Sequence, residues 1–188
     1  KRQTTHFKDL YYGEKVQLFL YGRAMQTALT KLMGKDYRCG GVFYMPVRSE
    51  FNKGKAKPHF EGVYTDQSDN ILALDKSIVD DNDFKSDIIP ISVAKSASRK
   101  SGEIVLENRQ GKRGVSESKM NELLDYAVKV SQGAVSEIAS GNIEPKPLVK
   151  VCESCPYCAV CRVHSRGILS RQANAKLDHN TSLGVDNE

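Results

Sequence analysis

Four cysteines stand three residues apart near the end of this chain, at Cys152, Cys155, Cys158 and Cys161. Thiolates with two-residue gaps can converge on one metal centre from a single short loop. Soft sulfur ligands suit Zn²⁺ or an iron–sulfur cluster and do not suit Mg²⁺ or Ca²⁺. Neighbours three apart make poor disulfide partners, so thiolates held by metal in a reducing cytosol fit better than a secreted disulfide framework. The run therefore predicts a metal site.

The cysteine spacing favours an iron–sulfur cluster over zinc. A structural zinc site usually takes its ligands from two separated pairs, whereas three close cysteines with one remote ligand are a common iron–sulfur arrangement. Zinc and unligated thiols stay open, and a thiol oxidoreductase fits worse because four crowded cysteines exceed what a redox pair needs. The run follows a predicted helix and a Pro-x-Pro connector, so we expect a structural clasp on a finished fold. Cys39, just before a predicted strand, is expected to be a small core residue.

Gln17 is the second informative residue, because it interrupts an otherwise apolar and aromatic stretch. Tyr21 follows four residues later and lies on the same face of a helix, one turn further on. A buried glutamine must find partners for its carbonyl and its amide. Gln17 could satisfy backbone groups of a neighbouring strand, or it could face a polar site. The residues alone leave both interpretations open.

Apolar periodicity and punctuation residues outline the elements around these groups. Helical spacing predicts a long, largely buried helix over 9–33 that Gly34 ends, and a second helix over 116–140 that Gly141 ends. Strands are predicted at 41–45, 59–65, 88–93 and 103–107. Turn composition marks 51–58 and 66–70, ahead of an apolar stretch at 71–74. After 166 the chain loses its periodicity, which predicts a partial helix and a frayed tail.

Composition sets broad limits on the class of protein. The 188 residues are 39% hydrophobic and 27% charged, which is ordinary for a soluble globular chain. No apolar run approaches the length of a membrane span, and no signal-peptide segment opens the chain. The net charge of +5 favours a polyanionic partner only weakly. A start at Lys1 rather than methionine suggests a fragment or a processed piece, and we expect a cytoplasmic location.

Together these motifs resemble a known family. The Gln17-x-x-x-Tyr21 pair, preceded by Tyr-Tyr-Gly and followed by Cys152-x2-Cys155-x5-Cys161, resembles the RecB-type nucleases of the PD-(D/E)XK superfamily. More narrowly, the chain resembles the C-terminal nuclease domain of the B subunit of AddAB-type helicase–nucleases. The resemblance runs from about residue 7 to 165 and includes the stretches at 41–44, 61–75 and 141–147.

The resemblance implies an α/β fold, a restriction-endonuclease-like mixed sheet flanked by helices. It also implies Mg²⁺-dependent exonuclease cleavage of DNA during processing of double-strand breaks, with acidic ligands holding the metal. Gln17 and Tyr21 would support catalysis by positioning the site and contacting DNA. The implied partners are a single-stranded or duplex DNA end and a helicase subunit, with no membrane. A 4Fe-4S cluster would be held by Cys152, Cys155 and Cys161 with one cysteine from far upstream, and Cys158 is surplus or a substitute for it.

The chain departs from the family pattern at its N-terminal side. The family's acidic ligands and its Asp-x-Lys strand precede the Gln-x-x-x-Tyr helix, yet only 16 residues precede Gln17 here. The one Asp-x-Lys tripeptide, at 83–85, follows the helix in a predicted loop and is a chance match. We therefore expect a fold that is incomplete at its N-terminal side, with catalytic ligands upstream, and no cleavage by this chain alone. The expected division is a partial nuclease core at 1–149, a cysteine loop at 150–165 and a polar tail at 166–188.

Basic residues supply candidate phosphate contacts, which would be independent of sequence and sensitive to salt. They lie in an expected hairpin or loop and beside Gln17: Lys95, Arg99, Lys100, Lys112, Arg113, Lys15 and Arg23. A solvated loop is the alternative for the first five. Two other functions stay open: a non-catalytic, zinc-stabilised module that binds nucleic acid or protein, and a CRISPR-associated adaptation nuclease. The 134 residues between Gln17 and Cys152 disfavour the latter, whose interval is shorter.

Overall fold

A three-stranded mixed sheet is the largest sheet among the described residues of the computed structural model. Its strands are β1 (Gly41–Tyr44), β4 (Glu61–Thr65) and β7 (Gly114–Val115), with β4 in the middle. β1 runs antiparallel to β4 and pairs Val42 with Val63, whereas β7 runs parallel to β4 and pairs Val115 with Thr65. The strands predicted at 41–45 and 59–65 are therefore confirmed within the described residues.

The structure describes residues 7–45, 51–52, 55–56, 60–79, 86, 89, 93–96, 105–108, 114–148, 152, 155–161 and 183. Two compact units divide the chain, one of residues 1–131 and 178–188, the other of residues 132–177. None of the described helices is long and apolar enough to cross a membrane. The division at 149 and 165 that the sequence suggested stays a prediction.

Two short antiparallel pairs accompany the three-stranded sheet: β2 (Phe51–Asn52) with β3 (Lys55–Ala56), and β5 (Val93–Ser96) with β6 (Val105–Asn108). The prediction of a turn over 51–58 was wrong in part, because residues 51–52 and 55–56 form strands. Strands of two residues are too short to show an alternating pattern in the sequence. The strand predicted at 103–107 is confirmed at 105–107 and extends to Asn108, whereas residues 103 and 104 lie outside the described residues. The strand predicted at 88–93 lies mostly outside the described residues.

Every residue of β4 is buried, because the strand is covered on both of its faces. Consecutive side chains of a strand point to opposite faces, so Val63 and Tyr64 enter different cores. The first core lies against the helices and consists of Leu10, Phe19, Val42, Val63, Val115, Met120, Leu123, Leu124, Ala127 and Leu183. The second core, on the other face, consists of Tyr64, Ile71, Ile78 and Ile89.

Two long helices cover the first core: α2 (Gln17–Met33) and α4 (Glu117–Ala139). α2 ends at Gly34 with φ of 64°, and Gly141, with φ of 79°, follows the end of α4. A left-handed residue at the end of a helix favours glycine, which explains why both predicted ends are confirmed. Gly22 lets α2 approach its neighbours closely, since a Cβ there would lie 2.8 Å from Val42 Cγ1 and 3.0 Å from Leu124 Cδ2.

The single helix predicted over 9–33 was wrong, because the chain breaks between α1 (Phe7–Tyr11) and α2. Gly13 adopts φ of 77°, a left-handed conformation that interrupts the first helix. The Asp9 carbonyl accepts the N–H groups of Glu14 and Lys15 at 2.8 and 3.2 Å, which turns the chain toward α2. The apolar pattern continues across the break, so periodicity alone did not reveal it.

The predicted burial of this helical region was also wrong. Phe19 is the one buried residue in α2, all of whose residues the structure describes. Tyr21, Met25, Leu32 and Met33 are each at least 60% exposed. The sheet and α4 cover only one side of α2, so the apolar residues on its other side have no cover from the described part of the chain.

The turn predicted at 66–70 is instead mostly the start of α3 (Ser68–Leu74), which a 3-10 helix follows at Lys76–Val79. Asn70 carries turn character in sequence, but its side-chain amide donates to the carbonyls of Gly40 and Thr65, at 2.7 and 3.1 Å. Ile71, one residue on, is buried in the second core. Tertiary contacts therefore override the local turn preference here.

Residues 132–177 form the second unit, whose described part begins in the last turns of α4. Lys146 reaches back to Glu137 across 2.9 Å, and a short helix, α5 (Cys158–Cys161), holds two of the four clustered cysteines. Of residues 166–188 the structure describes Leu183, which is assigned to the first unit. It is 8% exposed, and its N–H donates to Glu122 Oε1 at 2.5 Å.

Two glycine-to-alanine substitutions test this packing with opposite expected signs. In Gly62→Ala the new methyl group would collide with the Val42 carbonyl oxygen and lie 2.8 Å from Phe43 Cα. We expect a loss of roughly 2 kcal/mol or more, because the backbone of β1 must move. Gly133→Ala lies inside α4, and in the described part of the chain nothing outside the helix backbone comes within 4 Å of the new methyl group. A gain of about 0.5–1 kcal/mol is expected there from helix propensity.

The measurement is urea unfolding followed by circular dichroism. Equal effects of the two substitutions would contradict the close pairing of β1 with β4.

Candidate functional site

The glutamine–tyrosine pair lies in the first turns of α2 and faces solvent. Gln17 Nε2 donates to Tyr21 Oη at 2.7 Å, and Tyr21 is 64% exposed. A spacing of four residues places the two side chains on one helix face, as predicted. The expected burial of Gln17 was wrong, because its side chain is exposed. Its amide therefore bonds to Tyr21, not to the backbone of a neighbouring strand.

Asp9 fixes the turn from which this helix starts. Asp9 is buried, its carboxylate accepts Lys15 Nζ at 2.7 Å, and its carbonyl accepts two backbone N–H groups of the turn. Val16, at the start of α2, makes no side-chain capping bond. Tyr126 of α4 also reaches the turn, since its hydroxyl donates to the Tyr11 carbonyl at 3.0 Å and the two rings stack. The direction in which α2 leaves the turn therefore depends on Asp9 and on α4.

Lys15 and Arg23, two predicted phosphate contacts, already have carboxylate partners. Lys15 Nζ lies 2.7 Å from Asp9 Oδ2, and Arg23 Nη2 lies 2.5 Å from Asp125 Oδ1. Arg23 Nη1 also donates to Gln26 at 3.2 Å. To contact a phosphate, each cation must exchange its carboxylate for the phosphate. Their role in DNA binding stays a prediction.

The remaining predicted phosphate contacts surround the β5–β6 pair in sequence. Lys95 lies in β5 and pairs with Leu106 of the antiparallel strand β6, so it belongs to a strand and not to a loop. Arg99, Lys100, Lys112 and Arg113 lie outside the described residues, as does the tripeptide at 83–85. The basic hairpin as a DNA contact is therefore also still a prediction.

The cysteine loop has local turn structure around partly buried thiols. The Cys155 N–H donates to the Cys152 carbonyl at 3.4 Å, and the Cys161 N–H donates to the Tyr157 carbonyl at 2.8 Å. Cys152, Cys155 and Cys161 are of intermediate exposure. Cys158 and Cys161 are the first and last residues of α5.

These residues match a soft metal by chemistry, but the described thiols do not form a metal cage. Four sulfur ligands in one loop suit zinc or iron–sulfur ligation. Among the residues that the structure describes, no three His, Cys, Asp or Glu side chains come close enough to hold a metal ion. The cysteine-rich clasp and the choice of metal therefore stay predictions.

Cys39 differs from the four clustered cysteines. It is partly buried, packs against the first core and donates to the Gly41 carbonyl at 3.8 Å. Burial raises the pKa of its thiol, because desolvation disfavours the charged thiolate. This neutral packing role agrees with the core position expected from the sequence.

Asp9 and Asp125 are the site residues that the sequence did not reveal. Asp125 pairs with Arg23 across 102 positions of sequence, which leaves no periodic signal. Asp9 lies six positions before Lys15, a spacing that no helix or strand pattern predicts. No local sequence signal would have found either pairing.

A mixed sheet flanked by helices, with a polar pair on a helix beside it, is an α/β arrangement consistent with nucleases of the PD-(D/E)XK type. A sequence profile of the PD-(D/E)XK nuclease superfamily matches residues 1–162, and the chain belongs to this superfamily.

The more specific similarity is to one kind of helicase–nuclease subunit. The chain is 26% identical to the B subunit of the ATP-dependent helicase/deoxyribonuclease of Moorella thermoacetica, over 84% of this chain and 14% of that protein. The corresponding B subunit of Clostridium botulinum strain Loch Maree is 28% identical over 86% of this chain and 15% of its own length. That of Clostridium tetani is 27% identical over 94% of this chain and 16% of its own length. The chain thus spans about a seventh of the length of the curated relatives it matches.

Replacing the Asp9 carboxylate tests how the turn holds the site helix. We expect Asp9→Asn to lower the free energy of unfolding by about 1–2 kcal/mol, because the substitution removes the buried negative charge that pairs with Lys15. The loss is limited because the Lys15 ammonium group can still reach water. Glu137→Gln is the matched control, since it removes one carboxylate from an exposed ion pair with Lys146. That change should cost less than about 0.5 kcal/mol. Equal losses in urea unfolding would contradict the role of Asp9.

Proposed function

We propose that this chain is the nuclease part of an ATP-dependent helicase–deoxyribonuclease that processes DNA ends by Mg²⁺-dependent exonuclease cleavage. The observation that carries the proposal is the Gln17–Tyr21 pair, whose side chains share a hydrogen bond of 2.7 Å and face solvent. The pair belongs to a chain of the PD-(D/E)XK nuclease superfamily. The similarity to the B subunits of helicase/deoxyribonucleases supports the particular system.

The chemistry of the pair fits contact with a phosphodiester. Gln17 donates to the Tyr21 oxygen, so the Tyr21 hydroxyl proton is available for another acceptor. A phosphate oxygen is such an acceptor, and hydrogen bonds of this kind position the backbone of DNA without reading its sequence. The pair would orient the scissile phosphate, while Mg²⁺ held by carboxylates polarises it and activates water.

We propose further that those carboxylates lie outside these 188 residues. The resemblance puts the acidic ligands before the Gln-x-x-x-Tyr helix, and 16 residues precede Gln17. The relatives are about seven times longer than the aligned stretch, which leaves room for them. On this proposal the chain alone does not cut DNA.

DNA would be held by basic side chains through its phosphates. Lys15 and Arg23 would exchange partners, whereas Lys95, Arg99, Lys100, Lys112 and Arg113 would contribute from the β5–β6 region. Binding through such groups weakens steeply with salt because counterions are released. A helicase subunit would deliver the DNA end in the cytoplasm.

The cysteine loop would hold a 4Fe-4S cluster. Cys152, Cys155 and Cys161 supply three thiolates, and Cys158 or a cysteine outside this chain supplies the fourth. The partial burial of the three thiols and the tight turn between the first two support the proposal. The cluster's contribution is structural, since metal–sulfur bonds formed only in the folded loop stabilise it.

Removal of the Tyr21 hydroxyl tests the nuclease proposal. In the natural polypeptide that contains these residues, Tyr21→Phe should lower the rate of Mg²⁺-dependent DNA degradation by about tenfold or more. Stability should change by less than about 0.5 kcal/mol, because the lost hydrogen bond is exposed. Tyr157→Phe is the matched control, since Tyr157 is 71% exposed in the cysteine loop. A Tyr21→Phe enzyme with the wild-type rate would contradict the role of the pair.

Metal analysis tests the cluster proposal. Protein purified without oxygen should contain about four iron atoms and about four acid-labile sulfides per chain. Cys161→Ser should lose the iron, whereas Cys39→Ser should keep it because Cys39 packs in the first core. Cys158→Ser decides whether that thiol is the fourth ligand. Stoichiometric zinc without iron would rule out the cluster.

A further inference from the structure

One face of α2 carries the Gln17–Tyr21 pair and continues as an apolar stripe. Its members recur at helical spacing along one side of the helix: Gln17, Tyr21, Ala24, Met25, Ala28 and Leu32. We call this stripe the open face of α2. All six side chains are exposed, and from Gln17 to Leu32 the stripe is roughly 22 Å long.

The open face has the chemistry of a packing surface. Tyr21, Met25 and Leu32 are 64%, 62% and 80% exposed, and none of the six residues is charged. Ala24 and Ala28 lie between the larger side chains, so the backbone of a covering element can approach closely. Soluble proteins rarely leave contiguous apolar surface of this kind open, and such surface marks an interaction site.

Charge argues against DNA as the main cover of this face. Contact with a phosphate backbone needs cations, and the open face has none. Lys15 and Arg23 are paired with Asp9 and Asp125, and Lys31, beside the stripe in the last turn of α2, lies far from the Gln17–Tyr21 end. The DNA contact therefore belongs at the Gln17–Tyr21 end, and the stripe beyond it calls for apolar side chains.

Size argues against a separate protein as the cover. Stable interfaces between separate chains take about 20–30 residues from each partner, far more than one stripe of a helix. A segment of the same polypeptide needs less area, because its tether keeps it at high effective concentration. A second copy of this chain would also cover the Gln17–Tyr21 pair, which must reach DNA.

We propose that the part of the open face beyond Tyr21, from Ala24 to Leu32, is the docking surface for an apolar segment of the same, longer polypeptide, outside these 188 residues. The relatives extend to about seven times the aligned length, which supplies candidates for the segment. The inference rests on the proposed function, because that function makes this chain part of a subunit of that length. Since the face includes Gln17 and Tyr21, the docked segment lies beside the cleavage site.

Methionine oxidation tests the proposal with the chain's own residues. The four methionines are Met25 on the open face, Met33 on another side of α2, Met45 at the end of β1, and the buried Met120. Dilute peroxide followed by mass spectrometry reports the exposure of each thioether. In the 188-residue chain, Met25, Met33 and Met45 should react at similar rates while Met120 is protected.

In the natural longer polypeptide, free of DNA, Met25 should react at least about fivefold more slowly relative to Met45. Met25 as reactive as Met45 in that polypeptide would overturn the proposal. Protection that rises with concentration of the 188-residue chain would assign the face to a second copy and also overturn it. Protection that appears only after DNA is added would assign it to nucleic acid, with the same consequence.

A substitution gives an independent readout. Met25→Glu should leave the melting temperature of the 188-residue chain unchanged and lower that of the longer polypeptide, whereas Met45→Glu, at a similarly exposed position, should leave both unchanged. No shift with Met25→Glu in the longer polypeptide would overturn the proposal.

Nuclease assays on the same wild-type samples separate the docking proposal from the proposed nuclease function. Protection of Met25 without DNA cleavage supports the docking surface and contradicts the proposed function, and cleavage with an open Met25 does the reverse.

Discussion

The close approach of α2 to β1 and α4 at Gly22 determines where the helix with the polar pair lies. A Cβ at this position would come within 2.8 Å of Val42 and 3.0 Å of Leu124, so only glycine allows the contact without displacement. Phe19, one turn earlier on the packed side, is 1% exposed in the same core. The packed side of α2 thus holds the helix in place, and its opposite side presents Gln17 and Tyr21 outward.

The two sides of α2 have different roles: the packed side stabilises the fold, and the open side carries the residues of the proposed function. On the packed side, burial of an aromatic side chain such as Phe19 contributes roughly 1.5–3 kcal/mol, and Arg23 pairs with Asp125 of α4. On the open side the residues contribute little to the stability of this chain, and DNA and a covering segment are the partners proposed for them. Asp9 links the two roles, because it holds the turn from which α2 starts.

The nuclease fold and the cysteine loop differ in what supports them. Membership of the nuclease superfamily follows from a match over residues 1–162 and agrees with the mixed sheet. The cluster is a proposal from sulfur chemistry, because the described thiols of residues 152–161 form no metal cage. Metal–sulfur bonds can organise a loop that has little apolar core of its own, and Tyr157 and Val160 in this loop are more than 70% exposed.

The sequence by itself determined the local elements: the glycine ends at Gly34 and Gly141, the strands β1 and β4, the periodic helix α4 and the spacing of Gln17 and Tyr21. Each depends on neighbours within a few residues, which is why a pattern reveals it. Only the tertiary structure decided that the chain breaks near Gly13, that α2 is open on one side, and that Lys15 and Arg23 are paired. These features depend on which residues from distant positions meet in space, such as Asp125 with Arg23, and a linear pattern carries no record of such meetings.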